Sequence, residues 1–347
     1  MSSITARAPF RNRMISPVDD PQRVFVTREI PEASLRRLAE GLPGVRIDVH
    51  RGPECLTPRA LEEAARGACA LVCTLADRID APLLEALAPP LRVVATFAVG
   101  HENIDLAAAR RLAVRVANTP GVLTDATAEI AVALALACAR RVAEGDRFVR
   151  AGHFRGWRPL AHRGHAVYGC TVGIVGAGRI GFRVAATLRR GFDCEILVYS
   201  SRVPEAHESP DWQRELGARF VALEELLERS DIVSLHCPLS RETHHLIDAA
   251  ALTRMKSTAV LVNTARGAIV DESALVAALR AGAIACAGLD VYEDEPRLAP
   301  GLAELENVVL LPHIGSATYA AREAMGLLCA DAVIAELSGR AAPNRLV

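Results

Sequence analysis

The chain has 347 residues, 40 basic and 41 acidic, with a formal net charge of −1. That length suggests about two domains, and the balanced, mixed charges advertise no surface for nucleic acid or another polyanion. Nine scattered cysteines form no C-x-x-C pair and ten histidines show no H-E-x-x-H or comparable spacing, so neither a disulfide framework nor a metal centre is expected.

Met1 to Gln22 is polar, proline-dotted and aperiodic, and reads as a disordered extension without a secretory signal. From Arg23 onward, strand-like runs at Val24–Thr27, Val45–Val49, Leu71–Thr74, Val93–Phe97 and Val114–Val116 alternate with helical patterns. The latter lie at Glu32–Gly41, Pro58–Gly67, Ala81–Leu87 and Asn103–Leu112. Such alternation predicts a parallel sheet covered on both faces. Asp125 to Gly152 reads as one long helix capped by Thr124, a connecting spine between two sheet units. The longest apolar run, Ile130–Ala139, is too short to span a bilayer. A soluble cytoplasmic protein with reduced, buried thiols is the expectation.

The next unit carries the strongest signal. Thr171–Val175 is a short apolar strand pattern, followed directly by Gly176, Gly178 and Gly181 in G-x-G-x-x-G spacing. An amphipathic helix follows, with Ile180, Val184, Ala185 and Leu188 on one face, and Glu195–Ser200 supplies a second strand. In a strand–turn–helix–strand frame the first glycine permits the tight turn. The second lets the backbone approach a pyrophosphate, and the third lets helix and strand pack closely. The helix N-terminus offers unpaired N–H groups to the same anion. The Asp or Glu that ordinarily ends such a unit on the ribose hydroxyls of NAD is replaced here by Ser200, Ser201 and Arg202. A hydroxyl and a guanidinium can bind a 2′-phosphate that an acid would repel, so NADP is preferred over NAD, unless Arg202 is a solvated loop arginine.

Further strands are expected at Ile232–His236, Ala259–Thr264, Cys286–Val291 and Val308–Leu311, with helices at Leu223–Arg229, Ala249–Met255, Glu272–Ala281 and Ala317–Leu337. Open α/β sheets bind ligands beyond the carboxyl ends of their strands, and four positions there draw notice. Val99 and Gly100 end a strand and could form an anion nest or an ordinary turn. Arg266 follows another strand, suited to a planar carboxylate or to plain solvent. Glu295 belongs to an acidic cluster that is mostly solvated, and His313 follows the last strand. A histidine held beside a carboxylate could donate a proton near neutrality, but spacing cannot tell whether these two meet.

Six stretches carry a family resemblance in order: TFAVGHENID (96–105), NTPGVLTDATAE (118–129), the glycine unit, MKSTAVLVNTARGAIVDE (255–272), AGLDVYEDEP (287–296) and LPHIGSAT (311–318). Together they resemble the D-isomer-specific 2-hydroxyacid dehydrogenases, closest to glyoxylate/hydroxypyruvate reductases through LVYSSR, GWRPL (156–160) and HIGSAT. The resemblance implies two doubly wound parallel-sheet domains facing a cleft. One is a flavodoxin-like substrate domain (23–118 plus 313–347), the other a Rossmann nucleotide domain (119–312). It implies Arg266, Glu295 and His313 as the catalytic set, with Val99 and Gly100 beside the substrate carboxylate. Arg179 and Ile180 would lie against the pyrophosphate, Cys237 and Pro238 on the adenosine side, and Thr124, Ala265 and Asp290 near the nicotinamide. Trp157 would reach across a homodimer interface, helped by the apolar helix Asp125–Cys138, and otherwise packs locally against the helix end. Loops at 50–53 and 75–78 would tune the side-chain preference for a small 2-oxo or 2-hydroxy acid. Rival readings are a phosphoglycerate dehydrogenase-like enzyme, a 2-ketogluconate reductase, and a non-enzymatic dinucleotide-sensing corepressor.

Overall fold

Two parallel sheets stand in series in the computed structural model, which describes residues 22–201 and 212–347. All but the last residue of the expected N-terminal extension, and Arg202 of the expected 2′-phosphate-binding group, lie outside the described residues.

The first sheet is built from β1 (Arg23–Val26), β2 (Arg46–Val49), β3 (Ala70–Cys73), β4 (Val93–Thr96) and β5 (Arg115–Ala117). Helices α1 (Glu32–Gly41), α2 (Pro58–Ala65), α3 (Ala81–Leu87) and α4 (Leu106–Arg111) cross between them. Its order, β2-β1-β3-β4-β5, is the flavodoxin-like one. Every residue of β3 and β4 is buried, as strands covered on both faces must be. Thr57, Asp80 and Asp105 start the later helices by accepting from a backbone N–H in the first turn. The Asp105 cap explains why α4 begins at Leu106 and not at Asn103.

Next come α5 (Thr124–Ala139) and α6 (Val142–Arg150), where the single helix expected over 125–152 is broken. The break has a local cause. Arg141 is left-handed, with φ 54°, and Glu144 receives two hydrogen bonds of 2.6 Å from its guanidinium. At the same point His165 N–H donates to the Ala139 carbonyl at 2.8 Å, as the chain passes back across the helix end. Thr124 is the first residue of α5 and not its cap, a position Leu123 holds without a side-chain bond.

The second sheet follows: β6 (Thr171–Val175), α7 (Arg179–Phe192), β7 (Glu195–Tyr199), α8 (Trp212–Leu216), β8 (Arg219–Phe220), α9 (Leu223–Arg229), β9 (Ile232–Leu235) and α10 (Ala249–Arg254). It ends with β10 (Val260–Asn263), α11 (Glu272–Ala281), β11 (Cys286–Leu289) and β12 (Val308–Leu310). The order β12-β11-β10-β9-β6-β7-β8 is doubly wound and reverses between β6 and β9, which places a crevice there. The short pair α8 and β8 is the part sequence pattern did not foretell.

The last helix, α12 (Tyr319–Leu337), starts at a Thr318 cap and returns to the first sheet. Its Met325, Cys329 and Val333 share a core with Val24, Leu38, Val72 and Ala95. Leu123 and Ala126, at the start of α5, belong to that core, whereas Ala131, Leu134 and Cys138 pack into the second with Ile174 and Val262. The start of α5 therefore packs with one core and the rest of it with the other, a spine common to both sheets. No helix among the described residues is long and apolar enough to cross a membrane.

Candidate active site

The crevice at the reversal of the second sheet is a cavity of about 620 Å³. Its walls come from the ends of β6, β7 and β9 and include Gly176, Gly178, Arg179, Ser200, Ser201, Cys237 and Pro238. The three glycines divide their work as the spacing predicts. Gly176 has φ 109°, and a Cβ there would stand 2.5 Å from the Cys237 nitrogen. A Cβ on Gly181 would stand 2.5 Å from the Gly176 carbonyl oxygen. Gly178 faces open space, with no atom within 4 Å of its would-be Cβ, and it caps α7 with no side-chain bond to the first N–H groups. A pyrophosphate fits this donor set and this open side. Beneath the turn, burial lowers His236 to about 3, so the ring is neutral where its Nε2 meets Ser234 Oγ at 2.8 Å. Ile180 is half-buried, with its side chain packed against both cores. Gly181, Ile180, Thr124, Ala265 and Asp290 lie outside the cavity lining.

A second group of residues converges from three loops. Arg266, after β10, reaches toward the loop after β4, where its Nε and a terminal nitrogen each lie 3.3 Å from Glu102 Oε2. A Cβ on Gly100 would fall 1.5 Å from the same guanidinium, so the missing side chain at 100 is what admits it. Asn263 steadies the loop from below, donating to the Arg266 carbonyl at 2.8 Å and accepting from the Ala265 N–H at 3.0 Å. Val99 is fixed through its carbonyl, which accepts from Asn118 at 2.7 Å. Gly267 is pressed against the loop after β11: a Cβ there would stand 1.8 Å from the Tyr292 carbonyl carbon.

That loop carries Glu295, and His313 Nδ1 lies 2.9 Å from Glu295 Oε2. The other Glu295 oxygen accepts from the Tyr292 N–H at 3.0 Å. Burial pushes the Glu295 carboxyl up, but the His313 bond and charge, and the charge of Arg266, outweigh it and leave it below the usual carboxylate range. His313 itself is left-handed, with φ 55°, a conformation that costs a non-glycine residue about 1–2 kcal/mol. The turn is held by Asp290, whose two oxygens accept from the Ile314 and Gly315 N–H groups at 2.7 Å each. Burial raises the Asp290 carboxyl, with those two bonds opposing. His313 Nε2 has no hydrogen-bond partner among the described residues, which leaves it available to a ligand.

Glu102, Asn263, Gly267 and Arg322 were not foreseen. The Arg322 guanidinium lies 5.8 Å from the Phe97 ring centroid with no ion-pair partner among the described residues, and burial lowers it while the Asp290 charge opposes. A helical arginine gives no such hint in sequence, whereas an asparagine ending an apolar strand, as Asn263 does, could have been picked out. Trp157 is 83% exposed, which excludes local packing against the helix end. Most of the apolar side chains of α5 turn into its own chain, while Ile130, Leu136 and Ala137 stay half-buried and Ala133 is exposed; within 142–168 the exposed large apolar side chains are Val142, Val149, Phe154, Trp157, Leu160 and Tyr168.

Residues 132–315 match the family described as D-isomer specific 2-hydroxyacid dehydrogenase, NAD binding domain. A glyoxylate reductase from Thermococcus litoralis is 46% identical over 327 residues, covering 93% of this chain and 96% of that protein. The crystal structure of the TT0316 protein from Thermus thermophilus aligns with a TM-score of 0.86 at 44% identity, over 94% of this chain and 100% of that one. An NADPH-dependent glyoxylate/hydroxypyruvate reductase from Sinorhizobium meliloti, solved with citrate, has a TM-score of 0.78 at 31% identity, over 94% and 98% of the two chains.

Proposed function

Because the chain belongs to the D-isomer specific 2-hydroxyacid dehydrogenase family, we propose that it reduces a small 2-oxo acid, glyoxylate or hydroxypyruvate first, to the D-2-hydroxy acid. The observation that carries this reading is the meeting of His313 and Glu295 at 2.9 Å on the side of the cleft that feels the Arg266 charge. A nicotinamide dinucleotide, when bound, supplies the hydride. Arg266, with the Val99 and Gly100 N–H groups, holds the substrate carboxylate and polarises the ketone, displacing Glu102 from the guanidinium. Glu295 orients the imidazole through Nδ1, and His313 donates from Nε2 to the oxygen on which negative charge develops. Asp290 keeps the His313 turn in place and lies near the carboxamide end.

The same reading assigns 23–118 plus 313–347 to the substrate unit and 119–312 to the nucleotide unit; the packing of α12 on β4 and α1 supports it. Arg179 and the backbone of Ile180 serve the pyrophosphate, Cys237 and Pro238 the adenosine, and Thr124 and Ala265 the nicotinamide. NADP is preferred, because Ser200 and Ser201 stand at the lip where an acid would bind the ribose, and the Sinorhizobium relative is described as NADPH-dependent. Glu242, the acid in the lining, is engaged by Ser240 Oγ at 2.7 Å. A homodimer joined through 142–168 accounts for the exposed apolar side chains there.

The test is one absorbance assay of glyoxylate, hydroxypyruvate, pyruvate and 2-ketogluconate, each with NADPH and NADH. Highest kcat/KM on the first two with NADPH is expected, and Ser200→Asp with Arg202→Ala should invert the cofactor preference. Absence of turnover on all four would remove the substrate assignment; equal or better use of NADH by the wild type would remove the cofactor one.

A further inference from the structure

Beside the cleft, His244, His245 and Glu293 offer three ligand atoms that all lie within 4.8 Å of one another. In an extended chain successive side chains point to opposite sides, so neighbouring histidines rarely share a ligand. Here His245 is left-handed, with φ 51°, and the two rings lie with centroids 4.1 Å apart and planes tilted by 32°. His245 Nε2 is already 2.7 Å from Glu293 Oε1.

The backbone holds both loops without using these side chains. His245 N–H donates to the Ala268 carbonyl at 2.8 Å, and His244 N–H to the Ser240 carbonyl at 2.9 Å. Glu293 N–H donates to the carboxylate of Glu272 at 2.8 Å, and Glu272 is 3% exposed. A costly backbone conformation at His245 thus serves to bring two imidazoles to one carboxylate on a separately anchored loop.

We propose that His244, His245 and Glu293 bind a divalent transition-metal ion of the zinc, nickel or copper class, with water completing the shell. Two imidazoles and one carboxylate suit such ions, whereas magnesium and calcium take oxygen ligands. Zinc bonds of about 2.0–2.2 Å set tetrahedral ligand atoms roughly 3.3 Å apart. The His245–Glu293 pair needs to open slightly, and exposed His244 to swing inward. The site is not part of the catalytic set, so it needs no metal chemistry in the reaction. Its position is nonetheless consequential: Ser240, Thr243 and Leu246 of the first loop line the dinucleotide cavity, and the second loop carries Glu295. An ion would tie the cavity rim to that loop.

The experiment uses tag-free, chelator-treated full-length protein titrated with ZnCl2 alone, read by calorimetry and by the thermal midpoint, with MgCl2 as control. One zinc per chain is expected, with a rise in midpoint that chelator reverses. His244→Ala and Glu293→Gln should each weaken zinc binding at least ~10-fold, the scale seen when metal shells are disturbed. Because His244 is exposed, that variant should keep the wild-type midpoint in chelator, so a loss of binding is not a loss of fold. No zinc binding, magnesium acting equally well, or zinc binding undiminished in both variants, as binding at cysteines would give, each overturns the site.

Discussion

The turn after β6 and the cleft around His313 both sit at the carboxyl ends of parallel strands, yet they are held by different means. The turn is made by close-packed backbone, with Gly181 set against the Gly176 carbonyl and Gly176 set against His236 and Cys237 at the end of the neighbouring strand. The cleft is made by side-chain polar bonds between loops far apart in the chain: Arg266 to Glu102, His313 to Glu295, and Asp290 to the turn at Ile314 and Gly315. The lesson is that the turn is a shape of close-packed backbone, whereas the cleft is an agreement among polar side chains of separate loops. They fail differently when disturbed.

The largest expected effect lies in the cleft. His313→Ala should lower kcat at least ~10²-fold with little change in dinucleotide KM, the usual scale for a lost general acid. Arg266→Ala should lower kcat and raise the 2-oxo acid KM together. Steady-state kinetics on purified variants decide it, and a His313→Ala loss under about tenfold would take the proton donor role away.

Two glycine substitutions sharpen the contrast. At Gly267 a methyl group meets the Tyr292 carbonyl carbon at 1.8 Å, so Gly267→Ala must move the loop bearing Glu295, at a cost of about 1–3 kcal/mol. Gly178 has φ −85°, which any residue adopts, and open space before it. Gly178→Ala should therefore keep the thermal midpoint and raise only the dinucleotide KM. If Gly178→Ala unfolds as readily as Gly267→Ala, the open side of the turn is not a ligand surface.

Glu295→Gln sets a smaller shift. The Glu295 carboxyl is held below its ordinary range, so the stability it contributes is present above the unfolded value and lost as pH falls through the folded one. Removing its charge leaves His313 Nδ1 facing a neutral amide in place of the carboxylate at 2.9 Å. Glu295→Gln should therefore lower kcat by roughly tenfold, less than His313→Ala, with the dinucleotide KM nearly constant. An unchanged kcat would reduce Glu295 to a spacer.

This difference in construction also governs what could be read from sequence. Thr171–Val175 and the helices Glu32–Gly41, Ala81–Leu87, Leu223–Arg229 and Glu272–Ala281 coincide with the patterns that predict them, because apolar periodicity marks them, with Asp80 and Asp271 capping two of the helices. The glycine turn was legible for the same reason. The break between α5 and α6 was not, since it depends on His165 returning to the Ala139 carbonyl and on the Arg141–Glu144 pair. Arg266, Glu295 and His313 could be picked out one at a time as polar residues after strands. Their agreement could not be, because no local pattern encodes that Glu295 faces His313 or that Gly100 makes room for Arg266.

The smallest effect tests whether the cleft is complete within one chain. Trp157 is 83% exposed, and Val142, Val149, Phe154, Leu160 and Tyr168 around it in sequence are exposed as well. A lone exposed tryptophan needs no partner, but six large apolar side chains within 142–168 form the kind of surface that another copy covers. If Trp157 enters the partner's cleft, Trp157→Ala should enlarge the space beside the substrate side chain. The expected result is a few-fold change in kcat/KM for hydroxypyruvate relative to glyoxylate, with the dinucleotide KM nearly constant and the dimer mass kept. Replacing Val149 and Leu160 with Asp instead should split the dimer, because each buries a charge without a partner. Light scattering on the wild type that reports an active monomer, or an unaltered substrate ranking in Trp157→Ala, would show that the cleft needs nothing from a second chain.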